Sequence, residues 1–153
     1  MLFATNWQAD FTGLGKLALA YMLALPVGWY REKEAHSIGV RTFPLVAMAS
    51  CGYVLVAVPL GQSDLAAQSR VIQGLVAGIG FIGGGAILKA EGNVHGTATA
   101  ASIWNTGVIG AAVAQNRYLM AVMLAGLNLF ALRVLLPLKL KLDARANEKG
   151  DRD

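Results

Sequence analysis

The sequence predicts an all-α membrane protein: a polytopic bundle of five transmembrane helices, with the N-terminus outside and the C-terminus in the cytoplasm. Three observations carry that prediction. Hydrophobic residues make up 56% of the 153 residues and charged residues 14%, against about 25% charged in an ordinary soluble domain. Residues 71–88 and 96–115 form two runs without a charge, joined by a short polar connector. Runs of about 18 or more apolar residues are long enough to cross a bilayer core. Both runs are also rich in Gly, Ala, Ser and Thr, the residues that let membrane helices approach closely.

Five spans follow in order. The first covers residues 11–30 and is interrupted by Lys16. The second covers 43–60, the third 71–88, the fourth 96–115, and the fifth 118–138 with Arg133 inside it. Each is expected to be helical, because lipid offers the backbone no hydrogen-bond partner. Short connectors make consecutive helices antiparallel neighbours. Pro26 and Pro59 are placed near span ends, and Pro44 at a helix start, where its missing N–H costs little. Residues 1–10 hold no Lys or Arg, so the positive region of a cleavable signal is missing and the first span is expected to remain as an anchor. Residues 1–138 then form one transmembrane domain, and 139–153 a charged cytoplasmic tail.

Charge orients the bundle. Arg31, Lys33, Arg41, Lys89, Lys139, Lys141, Arg145, Lys149 and Arg152 fall on one side, and only Arg70 and Arg117 on the other. The positive-inside rule puts the richer side in the cytoplasm. The formal charge of +4 is therefore read as topology, and nucleic acid is not an expected partner. Lys16 and Arg133 are each close enough to a span end to snorkel. Cys51 alone can form neither an internal disulfide nor a cysteine metal cluster and reads as a small buried hydrophobe.

The run from Gly78 to Gly85 contains Gly78, Gly80, Phe81, Gly83, Gly84 and Gly85. Its match to G-x-G-x-x-G is rejected as a dinucleotide site, since no strand precedes it and no acid follows at the required distance. Two readings stay open. Gly74/Gly78 and Gly80/Gly84 have the small-xxx-small spacing of close helix crossings. Alternatively, Gly83, Gly84 and Gly85 break the helix and expose carbonyls, as broken helices do at transporter ion sites. In the fourth span Thr99, Ser102 and Thr106 share one helical face, with Asn105 beside them. They are expected to bond a neighbouring helix, with Asn128 as a partner, or else to line a narrow pore. No Asp or Glu lies well inside a span, although such carboxylates mark cation paths, so an intramembrane divalent-cation site is poorly supported. His36 and His95 are a weak metal pair. No catalytic set and no cofactor site is visible, and an enzyme is not expected.

Three blocks resemble the MgtC/SapB family of bacterial inner-membrane proteins. Gly28-Trp29-Tyr30-Arg31-Glu32 followed by Gly39-Val40-Arg41-Thr42 is similar to the family's G-x-E-R-E and G-L-R-T. Arg70 and the stretch from Gly78 to Gly85 resemble its G-I-G-F-L-G-A-G. Gly96-Thr97-Ala98-Thr99-Ala100-Ala101-Ser102-Ile103-Trp104 resembles G-L-T-T-A-A-x-x-W. Tyr30 stands where the family usually has Glu, and Ala98 where it has Thr or Asn. The chain looks like a short form without the additional cytoplasmic domain of longer members. The resemblance implies a multi-pass inner-membrane protein linked to magnesium limitation, acting on other membrane proteins or on itself as a homo-oligomer within the lipid bilayer. The competing expectation is a small oligomeric channel or transporter for magnesium or a monovalent cation. Arg31, Glu32 and Arg41 are expected to anchor the cytoplasmic side. The small-residue faces of spans three and four are expected to dock partners.

Overall fold

The computed structural model describes residues 7–35, 39–60, 65–90 and 93–135. Its order is α1 (Trp7–Ala35), α2 (Thr42–Leu60), α3 (Leu65–Gly85), a β1–β2 hairpin (Leu88–Ala90 and Asn93–His95), α4 (Thr97–Ala114) and α5 (Tyr118–Phe130). A π-helical turn, Ala131–Leu135, extends α5. Among the described residues, three helical stretches are long and apolar enough to cross a membrane: Trp7–Lys33, Leu65–Gly85 and Tyr118–Leu135. The apolar part of α2, Thr42–Ala57, is shorter. In α4 the polar groups Thr97, Thr99, Ser102, Asn105 and Thr106 dilute an otherwise apolar sequence.

The helix at the centre is α4, which touches α1, α2, α3 and α5. Its small residues make that possible. A Cβ on Gly110 would fall 2.8 Å from the Ala47 carbonyl carbon and 3.0 Å from the Cys51 nitrogen. A Cβ on Gly107 would run into the Ile79 side chain. Lipid tails are as apolar as the helices, so close van der Waals packing must hold such a bundle together. One core cluster accordingly joins Ala20, Ala24, Ala47, Cys51, Ile109, Ala121 and Ala125. A second joins Val27, Phe43, Ile79, Ile103 and Leu132.

Several boundaries differ from the sequence expectation. Helix α1 runs to Ala35, so Pro26 lies well inside it. Pro44, the third residue of α2, is where it was expected. Helix α3 begins at Leu65, placing Arg70 inside it, and ends at Gly85 rather than Leu88. The supposed polar connector is an antiparallel hairpin pairing Leu88 with His95 and Lys89 with Val94. Apolarity alone did not show that Leu88 leaves the helix for a strand. Residues 136–138 of the fifth span, the tail 139–153 and His36 lie outside the described residues.

Both basic residues inside the expected spans have partners in the bundle. Lys16 Nζ donates to the Ala114 carbonyl at 3.1 Å, at the end of α4, where the helix dipole favours a cation. Arg133 lies over the Tyr30 ring, 5.6 Å from its centroid.

Candidate functional site

The sequence-predicted residues separate into a clasp at one end of the bundle and an outward face on α3. The clasp joins α1 to the starts of α2 and α4. Arg31 is 6% exposed, and its Nη2 donates to Thr99 Oγ1 on α4. The next residue contributes as well: Glu32 Oε2 accepts the Val40 N–H at 2.6 Å. The chain returning from α1 lies directly on that helix. A Cβ on Gly28 would fall 2.8 Å from the Gly39 oxygen, and one on Gly39 would fall 2.6 Å from the Gly28 oxygen. Both glycines therefore serve close backbone approach. Arg41 is exposed beside Thr42; the side-chain bonds at this end come from Arg31 and Glu32 on α1. Tyr30, where the family usually has Glu, receives Arg133 on its ring. The aromatic face thus meets a cation from α5.

The polar face of α4 is consumed internally. Ser102 Oγ donates to Asn128 Oδ1 at 2.9 Å, the interhelical pair that spacing suggested. Thr106 Oγ1 donates to the Ser102 carbonyl at 2.8 Å. Asn105 Nδ2 donates to the Leu124 carbonyl at 3.2 Å. Thr99, Ser102 and Thr106 are all buried, while Trp104 is half exposed. The small-residue side of α4 is likewise occupied by α2 and Ile79. The two glycines of α4, Gly107 and Gly110, are thus used within the chain, whereas Ala98 and Ala101 remain exposed.

The glycine block does not break a helix in mid-course. It forms the C-terminal turn of α3, where Gly83 O accepts the Ala86 N–H at 3.0 Å and Gly84 O accepts the Ile87 N–H at 3.1 Å. Glycines are poor helix interiors and good helix ends, which accounts for the stop. Gly83 packs on α4, where a Cβ would sit 3.3 Å from the Ala100 oxygen. Gly96, at φ 86°, would set a Cβ 3.0 Å from the Ala86 carbonyl carbon, so it is required by the turn into α4. By contrast, a Cβ on Gly74, Gly78, Gly80, Gly84 or Gly85 meets nothing within 4 Å.

Among the residues of α3 only Ile79 and Gly83 are buried. Gln73, Ala77, Gly80 and Gly84 are all exposed, and their spacing of 4, 3 and 4 puts them on one helical face. Phe81, 85% exposed, stands beside them. Gln73 and Ala77 were missed in the sequence reading, although a glutamine in line with the Gly80/Gly84 pair was the available signal. No group of three or more His, Cys, Asp or Glu side chains suited to a metal occurs among the described residues.

Comparison with known proteins points in one direction. The MgtC family model matches residues 17–140. Protein SrpB of Synechococcus elongatus is 40% identical over 119 residues, which cover 69% of this chain and 65% of SrpB. YhiD of Escherichia coli K12, whose name proposes magnesium transport, is 31% identical over 126 residues, covering 78% of this chain and 58% of YhiD. Protein MgtC of Brucella abortus strain 2308 is 36% identical over 94 residues, covering 61% of this chain and 39% of that protein. The match thus spans less than two thirds of each of these relatives. No solved structure matches.

Proposed function

The chain belongs to the MgtC family of membrane proteins, which is linked to magnesium physiology, and from that premise we propose that it is a non-enzymatic modulator that docks other membrane proteins through the outward face of α3. One observation carries this reading. Gln73, Ala77, Gly80 and Gly84 form an exposed small-residue stripe, and the two glycines leave open space where a Cβ would stand. Among the described residues, no atom comes within 4 Å of either virtual Cβ. A partner helix could approach the backbone closely there, and Gln73 could hydrogen-bond across the interface.

The protein is a multi-pass inner-membrane protein in this reading, with all five helices spanning. The N-terminus is outside and the tail cytoplasmic. The uneven distribution of Lys and Arg supports that orientation. So does the clasp, which gathers the end of α1 and the starts of α2 and α4 at the basic side. The polar residues of α4 are tolerable in a span because their hydrogen bonds are made within the bundle.

The name of YhiD favours a second reading, transport of magnesium. Against a pore along α4 stands the internal bonding of Ser102, Thr106 and Asn105. The test is cross-linking in native membranes from a photoreactive residue at position 77, paired with flux of magnesium and potassium into proteoliposomes. Docking predicts a discrete membrane-protein adduct that disappears in Gly80→Leu/Gly84→Leu, without flux above protein-free vesicles. Flux from the purified protein, with cross-linking unchanged in the double variant, would overturn it in favour of transport.

A further inference from the structure

The strands of the β1–β2 hairpin, Leu88–Ala90 and Asn93–His95, are three residues each, and Leu88, Lys89, Val94 and His95 are all exposed. Leu88 and Val94 keep 66% and 57% of their surface open. A two-stranded ribbon is marginal in water at best, and a third strand is the usual way to make it stable. Antiparallel pairing also turns the N–H and C=O of alternate residues away from the partner strand. The side of β2 that faces away from β1 is therefore an edge that a further strand can extend.

The end of α5 arrives beside that edge. Two bonds fix the register of α4 against α5: Asn105 Nδ2 to the Leu124 carbonyl, and Ser102 Oγ to Asn128 Oδ1. The helices run antiparallel, so each step toward the end of α5 matches a step toward the start of α4. Seven residues on from the Ser102–Asn128 pair, Leu135 stands at about the level of His95. Leu132, nearly one turn earlier, shares a buried cluster with Ala86, just ahead of β1. Packed helices lie about 8–10 Å apart, and three extended residues span about 10 Å, so the chain leaving α5 can reach β2 by Leu138. Its direction suits the pairing. β2 runs into α4, and the chain leaving α5 heads the opposite way, antiparallel to β2.

The sequence at that point has the matching pattern, although residues 136–153 lie outside the described part of the chain. Pro137 disfavours a helical residue before it. Leu138-Lys139-Leu140-Lys141-Leu142-Asp143 then alternates apolar and charged at every step. Period two is the signature of a half-buried strand, whereas a helix would put Leu140 opposite Leu138 and Leu142. We infer that residues 138–143 add to the open edge of β2 as a third antiparallel strand, held by main-chain hydrogen bonds and covering one face of the hairpin with leucine. The inference goes beyond the docking reading and does not depend on it, because neither the hairpin nor these residues belong to the stripe on α3.

The experiment is disulfide trapping in the full chain, in nanodiscs of phosphatidylcholine or of phosphatidylglycerol, on a Cys51→Ala background. Val94→Cys is combined in turn with Leu138→Cys, Lys139→Cys, Leu140→Cys or Lys141→Cys. Strand neighbours share a face, so efficient bonds are expected at alternate positions in either lipid. Bonds at all four positions, or at none, would overturn the inference. Amide hydrogen exchange of β2 is followed in parallel. Alternate amides of the added strand face β2, so Leu140→Pro/Lys141→Pro must remove at least one ladder bond, and β2 should exchange about tenfold faster. Both positions lie beyond α5, so the melting temperature of the bundle should not change. Lys139→Gln/Lys141→Gln preserves the alternation and should exchange as wild type does. Unchanged exchange in the proline pair would also overturn the inference. Protection lost in the glutamine pair, and only in phosphatidylglycerol, would place residues 138–143 on the anionic lipid surface and reject the strand.

Discussion

Replacing Gly110 with alanine places a methyl group against the backbone of α2. The new Cβ would stand 2.8 Å from the Ala47 carbonyl carbon and 3.0 Å from the Cys51 nitrogen. It would also run into the Ala47 carbonyl oxygen, and since an ordinary contact begins at about 3.4 Å, α2 and α4 must separate by well over the ~0.6 Å that the carbonyl carbon alone would require. The opposing atoms belong to a helix backbone and cannot rotate away as a side-chain tip could. Overpacking of this kind costs about 1–3 kcal/mol, partly offset by the 0.5–1 kcal/mol that alanine gains over glycine inside a helix. The expected net change is a loss of up to about 2.5 kcal/mol, and the difference from an open glycine position is about 1–3 kcal/mol. Gly80→Ala is the matched control: its Cβ meets nothing within 4 Å, so only the propensity gain remains and the variant should be as stable as wild type or slightly more so. Equilibrium unfolding in mixed SDS and mild detergent, followed by tryptophan fluorescence, measures both. Equal stability of Gly110→Ala and Gly80→Ala would refute the assignment of α4 as the packed centre and α3 as the open helix.

Three further outcomes are expected. A double-mutant cycle with Ser102→Ala and Asn128→Leu should give a coupling of about 0.6 kcal/mol, near the mean for interhelical hydrogen bonds in membranes. Zero coupling would mean that the pair is not formed in the bilayer. Thr99→Val removes the oxygen that accepts from Arg31 and leaves a buried guanidinium one partner short. A loss of about 1–3 kcal/mol should appear in the same unfolding assay, whereas Thr97→Val, at an exposed position, should change little. Arg133→Gln should loosen the contact between Tyr30 and the π-helical turn, raising amide hydrogen exchange at the end of α5. Arg133→Lys should restore part of that protection through its own charge over the ring.

The bundle's middle was more legible in the sequence than its edges. Thr99, Ser102 and Thr106 recur at helical spacing, and a polar face in an apolar run must find partners, so the Ser102–Asn128 pair could be anticipated. The end of α3 could not be placed from hydropathy, because Ile87 and Leu88 are as apolar in a turn and strand as in a helix. The three preceding glycines were a better sign of termination than of a mid-membrane break. Spacing also could not separate glycines that pack internally, Gly107 and Gly110, from those that stay open, Gly80 and Gly84. That division depends on which helices surround each face. Lys16 on the end of α4 and Arg133 on Tyr30 are likewise tertiary contacts, made between residues distant in sequence.

The reciprocal contact of Gly28 and Gly39 has a consequence for how this chain can vary. Each glycine occupies the space that the other's Cβ would need, so a side chain at one position is not accommodated by leaving the other bare. Both must stay, or the two backbones must part. The Glu32–Val40 bond fixes the same return path from a second point. Together they act as a measuring rule for the intervening chain. A one-residue insertion or deletion between Lys33 and Ile38 that shifted this register would set a residue bearing a Cβ against the Gly28 carbonyl, where Gly39 now stands. The register at Gly39, and not its identity alone, is what the contact with Gly28 constrains.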